Sequence, residues 1–395
     1  MALRSGALVR LSVLCAATAL LTALVQPTAS ADAPFPPSAE ASRSPSADAP
    51  FPPSAEASRS PSAEEPFPPS AEASRSPSDA PLPRTVSGWL PYWDQEGAYA
   101  DALRHAGQLH TVSPFWYQAK AADRIDGHPG AGESRIIDGL HAAKIKVVPT
   151  VMETMKPGAL AGILTDPALR ATHIDTLIAL VRSRTYDGID IDYESIAPTG
   201  DADYPAVRTA YASFASQLCE KLHTLGKVCV LTVSPQTATT GRIWDYPALG
   251  RAADTVRIMG YDLHWQGGTA GPLATPQWYD DILRRATTLI PAAKLEMGLP
   301  AYGWDWVTGG ATRHVTWREA EALRTAKGIP YHLDPESQTP HFTYEENDDV
   351  RQVWYQDAQG VAADLPVLRR YGIRTTTIWA LNFEDPQLWP VLGRV

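Results

Sequence analysis

Three acidic side chains alternate with apolar or aromatic ones in residues 187–194, which read Asp-Gly-Ile-Asp-Ile-Asp-Tyr-Glu. A period of two predicts a β-strand. Asp190, Asp192 and Glu194 then share one face, with next-but-one residues roughly 7 Å apart. Because crowded carboxylates in a partly buried place repel one another, we expect at least one to keep its proton near neutral pH. A carboxyl group of this kind can serve as a general acid.

Strand-like and helix-like stretches alternate along residues 85–395, and these elements must position the acidic strand. Helix-like stretches such as 174–184, 207–225 and 362–371 separate most of the apolar, strand-like runs. This alternation predicts an α/β fold, a (β/α)8 TIM barrel. An open doubly wound sheet is the alternative, but no glycine-rich phosphate loop follows an early strand. The predicted barrel strands are 86–93, 110–117, 146–152, 188–194, 227–234, 255–261, 294–302 and 375–381.

The interval between the seventh and eighth predicted strands is much longer than one helix requires. Within it, residues 317–327 read as a helix, and residues 331–333, 341–346 and 350–355 read as short strands. We therefore predict a small α+β insertion at about 307–355, between strand 7 and helix 7. It would form a wall on one side of the site.

Aromatic residues gather where the predicted strands end. Active sites of barrels lie at the C-terminal ends of the strands, where Glu194 is also expected. Aromatic faces stack on the C–H faces of sugar rings while acids bind the hydroxyl groups, so the pattern indicates a sugar site. Core packing is the alternative for any single aromatic residue. The candidate binding residues are Trp93, Met259, Asp262, Tyr302 and Trp379.

Three motifs carry a family resemblance. Residues 187–194 match the Asp-x-x-Asp-x-Asp-x-Glu signature of the family 18 glycoside hydrolases, the chitinase family. Residues 259–262, Met-Gly-Tyr-Asp, resemble the family's sixth-strand motif, and Trp379 resembles its eighth-strand tryptophan. The similarity covers residues 86–395 in order. It implies a retaining mechanism in which the substrate's own 2-acetamido oxygen attacks the anomeric carbon, with no cofactor or metal.

The resemblance also implies a role for each site residue. Glu194 would protonate the glycosidic oxygen and later deprotonate water. Asp192 would orient the acetamido group and stabilise its developing positive charge, and Asp190 would tune Asp192. Tyr261 would donate a hydrogen bond to the acetamido carbonyl, and Trp379 would form the floor of the sugar subsite.

The third predicted strand departs from the family pattern. Chitinases usually carry Ser-x-Gly-Gly there, whereas residues 147–153 read Val-Val-Pro-Thr-Val-Met-Glu. With Ser-Pro-Phe-Trp-Tyr at 113–117 and the compact insertion, the chain resembles the branch associated with spore and cell-wall lysis. Chitin and peptidoglycan both contain β-1,4-linked N-acetylglucosamine, and both stay open as substrates. Asp187 precedes the fourth strand and is interpreted as structural.

Three functions are compatible with these residues. The first is a secreted hydrolase of N-acetylglucosamine-containing polysaccharide, and the second is a non-catalytic, lectin-like glycan-binding protein. In the third, the N-terminal stalk is the functional part and the barrel is a surface adhesin. Lectin-like relatives typically lose the acid at the position of Glu194. Because Glu194, Asp192 and Tyr261 are all present, the residues favour the enzyme.

The N-terminal 84 residues do not resemble a folded domain. Residues 1–31 combine a basic start, an apolar run and small residues before Asp32, which predicts a secretory signal peptide. Residues 32–84 contain a near-repeat rich in Pro, Ala and Ser, with Phe35, Phe51 and Phe67 at corresponding positions. Such units cannot bury a core, so we expect a disordered linker. The protein is expected to be extracellular, with cell-wall association as a further option.

Charge and cysteine content narrow the partners. The 395 residues carry a formal net charge of −10 without a basic run, which argues against nucleic acid or an anionic membrane as a partner. We expect a monomer. Cys219 and Cys229 follow the predicted signal peptide and could form one disulfide or remain two buried thiols.

Overall fold

A computed structural model describes residues 85–196, 204–237, 240–307 and 310–393. The predicted signal peptide at 1–31 and linker at 32–84 lie outside these residues. Among the helices of the described part, none has the length and apolar character to cross a bilayer.

Strands and helices alternate through most of the described chain. The strands are β1 Thr85–Pro91, β2 Leu109–Ala121, β3 Arg124–Gly127, β4 Lys146–Val147, β5 Thr150–Glu153, β6 Gly188–Asp192, β7 Val228–Val233, β8 Thr255–Ile258, β9 Leu295–Pro300, β10 Tyr302–Val307, β11 Arg313–Thr316, β12 His341–Glu346, β13 Asp349–Tyr355 and β14 Thr375–Trp379. The helices are α1 Gln95–Arg104, α2 Ser134–Ala142, α3 Ala159–Thr165, α4 Pro167–Arg182, α5 Tyr204–Thr224, α6 Tyr246–Ala252, α7 Pro276–Leu289, α8 Trp317–Ala326, α9 Ala358–Arg370 and α10 Leu388–Leu392.

The larger sheet closes into a parallel barrel. Its order is β1-β14-β9-β8-β7-β6-β5-β2, and β1 also pairs with β2 in parallel, which closes the ring. Strand β4 pairs with β2 in parallel just before β5 does, so β4 and β5 together form the third barrel strand. The (β/α)8 TIM barrel predicted from the alternation is confirmed.

A second, antiparallel sheet lies between barrel strand 7 (β9) and helix 7 (α9). Its order is β11-β10-β13-β12, and its core, with α8, consists of Val315, Ala320, Phe342, Tyr344, Val353 and Tyr355. The insertion predicted between strand 7 and helix 7 is thus present, but it begins at Tyr302 rather than near 307. The predicted strand at 331–333 is wrong, because only an isolated bridge joins Leu333 to Pro340 there.

Several predicted strand ends were wrong by a few residues. The third strand is interrupted at Pro149, which has no backbone N–H to give to the ladder. The fourth ends at Asp192 instead of Glu194, because the backbone N–H of Glu194 donates to the carboxylate of Glu153 rather than to β7. The seventh ends at Pro300, and Tyr302 already belongs to the second sheet.

The alternation in β6 separates two environments. On the outer side, Tyr193 is fully buried, is hydrogen-bonded to His173 of α4 at 2.7 Å, and stacks on Phe214 of α5. On the inner side, the carboxylate of Asp190 reaches donors on other barrel strands. The outer helices therefore fix the strand, and its acids face the barrel interior.

Helix α5 is also covalently tied to the barrel. Cys219 of α5 and Cys229 of β7 form a disulfide, which resolves the two alternatives left by the sequence. The bond joins the helix that follows the acidic strand to the next barrel strand.

Candidate active site

Asp190 is the best satisfied acid in the barrel interior. Its carboxylate accepts hydrogen bonds from Trp89 Nε1 at 3.2 Å, Thr150 Oγ1 at 2.8 Å and Thr232 Oγ1 at 2.7 Å. It also accepts one from the Arg257 guanidinium at 2.8 Å. These donors come from β1, β5, β7 and β8, so Asp190 joins four other barrel strands. Its position is thereby fixed.

Arg257 supplies positive charge inside the barrel. It is fully buried and forms ion pairs with Asp190 and with Glu296 of β9. Its guanidinium also lies 4.6 Å from the ring centroid of Trp89. A buried charge is tolerated only when it is paired and hydrogen-bonded, and Arg257 meets both conditions.

Asp192 lies on the same face of β6 as Asp190 but has far fewer partners. It is 5% exposed, and its Oδ1 has no hydrogen-bond partner among the described residues. Burial raises the pKa of Asp192 well above its usual range, and the neighbouring charges of Glu194, Asp190 and Glu153 raise it further. A buried acceptor without a partner is costly, and a ligand group can satisfy it.

Glu194 follows the end of β6 and is partly buried. Burial raises its pKa to about 8, with contributions from the charges of Glu153 and Asp262. Glu194 therefore favours its protonated form near neutral pH. A carboxyl with a pKa near the working pH is suited to act as a general acid and then as a general base.

Tyr261 follows β8 and faces these two acids. Burial raises the pKa of its phenol well above the usual range, and the charges of Asp192 and Glu194 add to this effect. The hydroxyl therefore stays protonated and can donate. Gly298 of β9 makes room for the ring, because a Cβ there would lie 3.0 Å from a Tyr261 ring carbon and 2.9 Å from the Ile258 carbonyl oxygen.

Asp262 is held by the insertion. Its Oδ1 accepts hydrogen bonds from the hydroxyl of Tyr302 and, at 3.3 Å, from Trp304 Nε1, both on β10. Its φ of +57° lies in the left-handed region, which Asp tolerates better than most residues. Tyr302 is only 2% exposed, so it acts on Asp262 more than on the cleft. Met259 is also largely buried, at 9% exposed.

Trp379 ends β14 and lies among other aromatic rings. Its ring centroid is 5.4 Å from that of Trp89, 5.2 Å from Phe115 and 6.2 Å from Trp93. Trp93 and Trp379 are both partly exposed, whereas Trp89 and Phe115 are buried. Because Trp89 donates to Asp190, this aromatic floor is continuous with the acidic strand.

The sequence alone did not single out three residues that hold the site together: Glu153, Trp89 and Arg257. Glu153 is 8% exposed, and its carboxylate accepts the backbone N–H groups of Glu194 and Ser195. An acid at the C-terminal end of the third predicted strand was the available signal for Glu153. Nothing comparable marked Arg257, which lies inside an apolar run.

Asp187 lies at the opposite end of the acidic segment and has ordinary structural partners. It accepts a hydrogen bond from the Val147 backbone N–H at 2.8 Å and is bonded to His141 Nε2 at 2.9 Å. Across the described residues, no group of three or more His, Cys, Asp or Glu side chains is arranged to hold a metal ion.

Comparison with known proteins gives a family match. The family model described as "Glycosyl hydrolases family 18" matches residues 137–384. The uncharacterized glycosylase YvbX of Bacillus subtilis is 28% identical over 237 residues, covering 59% of this chain and 68% of YvbX. A cortical fragment-lytic enzyme of Bacillus anthracis is also 28% identical, over 58% of this chain and 54% of that protein. The chain thus spans only about half of that enzyme.

Solved structures give the same fold. A chitinase from Chromobacterium violaceum is 25% identical with a TM-score of 0.70, covering 78% of this chain and 98% of that one. The Bacillus cereus spore cortex-lytic enzyme SleL is 23% identical with a TM-score of 0.70, covering 79% of this chain and 74% of that one. The family model matches more than half of the length of this chain. The chain therefore belongs to the glycosyl hydrolases of family 18 and is an enzyme.

Proposed function

We propose that the protein is an exported hydrolase that cleaves β-1,4 linkages of N-acetylglucosamine-containing polysaccharide by a retaining, substrate-assisted mechanism. One observation carries the proposal: Asp192 and Glu194 lie side by side at the mouth of the barrel, and burial raises the pKa of both. Tyr261 faces them with a protonated hydroxyl.

The first step needs a proton for the leaving group. Glu194, protonated at neutral pH, gives its proton to the glycosidic oxygen as the C1–O bond breaks. The acetamido carbonyl oxygen of the same sugar attacks C1, which forms an oxazolinium ring. Asp192 accepts a hydrogen bond from the acetamido N–H through Oδ1, and the Tyr261 hydroxyl donates to the acetamido oxygen.

The second step reverses these roles. The ionised Glu194 takes a proton from water, the hydroxide attacks C1 from the face that the leaving group occupied, and the acetamido group is restored. The anomeric configuration is retained because two inversions occur. NMR of the first product formed is therefore expected to show the β-anomer.

The carboxylate arrangement favours the substrate as nucleophile. Asp190 is occupied by four donors, and Asp262 is held by Tyr302 and Trp304. Neither is left free to attack C1, and Asp192, whose Oδ1 has no partner among the described residues, is assigned to the acetamido N–H. Sugars without an N-acetyl group should then be poor substrates, and cleavage of cellulose oligomers at a comparable rate would contradict the mechanism.

Chitin and peptidoglycan glycan strands both offer the required sugar. Relatives of this chain include proteins named chitinase and proteins named cortical fragment-lytic enzyme. The test gives chitin oligomers and purified peptidoglycan strands to the wild type and to Glu194→Gln. Sugar release by the wild type, with a loss of at least about 10³-fold in the variant, is expected and identifies the polymer. No release by the wild type from either substrate would favour a glycan-binding protein.

Export is proposed on the predicted signal peptide at 1–31, and the Cys219–Cys229 disulfide is consistent with an oxidising compartment. When the full chain is expressed in a secreting bacterium, N-terminal sequencing of the protein in the medium is expected to begin at Asp32. Recovery inside the cell with residues 1–31 intact would contradict export. Deleting 32–84 and measuring retention on walls tests the adhesin alternative.

A further inference from the structure

Glu153 ends β5 beside the acidic strand β6. The two strands pair in parallel, with Met152 opposite Asp192, so Glu153 lies level with the point where β6 stops. Beyond Asp192, the backbone N–H groups of Glu194 and Ser195 no longer take part in strand pairing. Glu153 accepts both of them, Glu194 N–H at 3.0 Å through Oε2 and Ser195 N–H through Oε1.

We propose that Glu153 is a positioning residue for the acid Glu194: its carboxylate fixes the backbone from which Glu194 projects, and its negative charge keeps the proton on Glu194. This inference rests on the proposed role of Glu194 as acid and base. It adds a residue of the third barrel strand, where residues 147–153 lack the Ser-x-Gly-Gly stretch.

The hydrogen bonds favour an ionised Glu153. Burial raises its pKa, while the N–H groups of Ser195 and Glu194 oppose that effect because they stabilise the charged form. Both carboxylate oxygens act as acceptors, which is the pattern of an ionised group. Glu194, by contrast, accepts no described hydrogen bond of this kind. Two neighbouring acids in unlike environments divide the charge and the proton between them.

The titratable groups that face Glu194 are three carboxyl groups and a phenol, and none is a cation. They are Glu153 on β5, Asp192 at the end of β6, Asp262 after β8 and the neutral Tyr261. Arg257 is engaged with Asp190 and Glu296, deeper in the barrel. Of these charges, that of Glu153 affects the pKa of Glu194 most after burial itself.

The hydrogen bonds of Glu153 use both carboxylate oxygens, and a neutral amide would offer one acceptor oxygen and turn its NH2 group toward the second N–H. The same carboxylate is buried close to Glu194, so it also acts electrostatically, because a negative charge in a poorly solvated place disfavours ionisation of a neighbouring acid.

The test compares Glu153→Gln with Asp187→Asn. Asp187 is a matched control because it also accepts a backbone N–H, that of Val147, but at the start of β6. The readout is kcat/KM against pH on whichever glycan the wild type cleaves, where the alkaline limb reports the proton on Glu194. In Glu153→Gln we expect this limb to move about one pH unit lower, because a like charge is removed. In Asp187→Asn it should stay in place.

A second variant separates charge from geometry. Glu153→Asp keeps the charge but shortens the side chain by one methylene, so kcat should fall while the alkaline limb stays near its wild-type position. If Glu153→Gln does not fold, Glu153→Asp carries the test together with direct NMR titration of Glu194 in both proteins. An unmoved limb in folded Glu153→Gln, or a limb in Glu153→Asp that shifts to lower pH, overturns the proposal.

Glu194→Gln, assayed on the same substrate, tells the two proposals apart. If this variant is as active as the wild type, the proposed function is wrong and Glu153 has no acid to position. If Glu194→Gln is inactive and the Glu153→Gln limb does not move, only the inference about Glu153 fails.

Discussion

Two regions of the molecule bury acids in opposite ways. In the insertion, Asp305 of β10 is 1% exposed and is paired with Arg351 and Arg313, with a further hydrogen bond from the hydroxyl of Tyr344. At the barrel mouth, Asp192 is about as deeply buried, yet its Oδ1 has no partner among the described residues.

The partners of a buried acid indicate whether its role is structural or chemical. A buried carboxylate with cationic partners links strands, as Asp305 links β10, β11 and β13. A buried carboxylate crowded by other acids keeps its proton, because burial and like charges both disfavour ionisation. Asp192 and Glu194 belong to the second kind. Within β6 itself, Asp190 belongs to the first.

The largest contrast is expected between Asp192→Asn and Asp305→Asn. The first should lower kcat by about 10²–10³-fold with little loss of stability, because the amide can still accept the acetamido N–H but cannot become negative as the acetamido group gains positive charge. The second should keep kcat per folded molecule but lower the free energy of unfolding by about 3 kcal/mol, because Arg351 loses the buried carboxylate at 2.8 Å and keeps only Glu346 at 4.0 Å. Steady-state kinetics and urea unfolding of both variants measure these effects. Equal loss of activity in the two variants would break the distinction.

The sequence predicted much of the acidic strand β6 because the relevant signal is local. The alternation in residues 187–194 sets which side chains share a face, and that information lies within eight positions. Tyr261 and Trp379 were likewise found from short motifs at strand ends. The barrel itself follows from the repeated alternation of strands and helices, which each segment carries independently.

The supporting contacts could not be predicted because they join distant segments. Glu153 lies 41 positions from Glu194, and Arg257 lies 67 from Asp190. Their proximity depends on closure and register of the barrel, which no local pattern specifies. The end of β6 was missed for the same reason, since it depends on the Glu153 carboxylate. The break at Pro149 was different, because the missing N–H of proline is visible in the sequence.

A smaller effect should distinguish the aromatic residues of the two regions. Trp379 lies at the mouth with Trp93 and Phe115, whereas Trp354 lies in the second sheet, stacked on His341 at 4.3 Å. Trp379→Ala should lower kcat/KM on a short N-acetylglucosamine oligomer about thirtyfold, the effect of about 2 kcal/mol of lost stacking. Trp354→Ala should leave it within about twofold. An equal loss in both variants would mean that short substrates also contact the insertion.

The smallest effect concerns the free energy of unfolding. It tests whether the acids at the barrel mouth destabilise the folded protein when they ionise. Burial raises the folded-state pKa of Glu194 to about 8, whereas an unfolded glutamate titrates near 4.3. Between these values the folded state binds more protons than the unfolded state, so this group's contribution to the free energy of unfolding falls as pH rises from about 4.5 to 8. The amide of Glu194→Gln does not titrate, so this decrease in the free energy of unfolding should be absent from the variant. The Glu194→Gln variant should therefore match the stability of the wild type near pH 4.5 and be more stable by about 1 kcal/mol or more at pH 8. Asp305→Asn provides the opposite case, because it should be less stable than the wild type at both pH values. Urea unfolding of the three proteins at pH 4.5 and 8 measures these differences in stability. If Glu194→Gln is no more stable than the wild type at pH 8, the barrel mouth tolerates its charges as well as the insertion does.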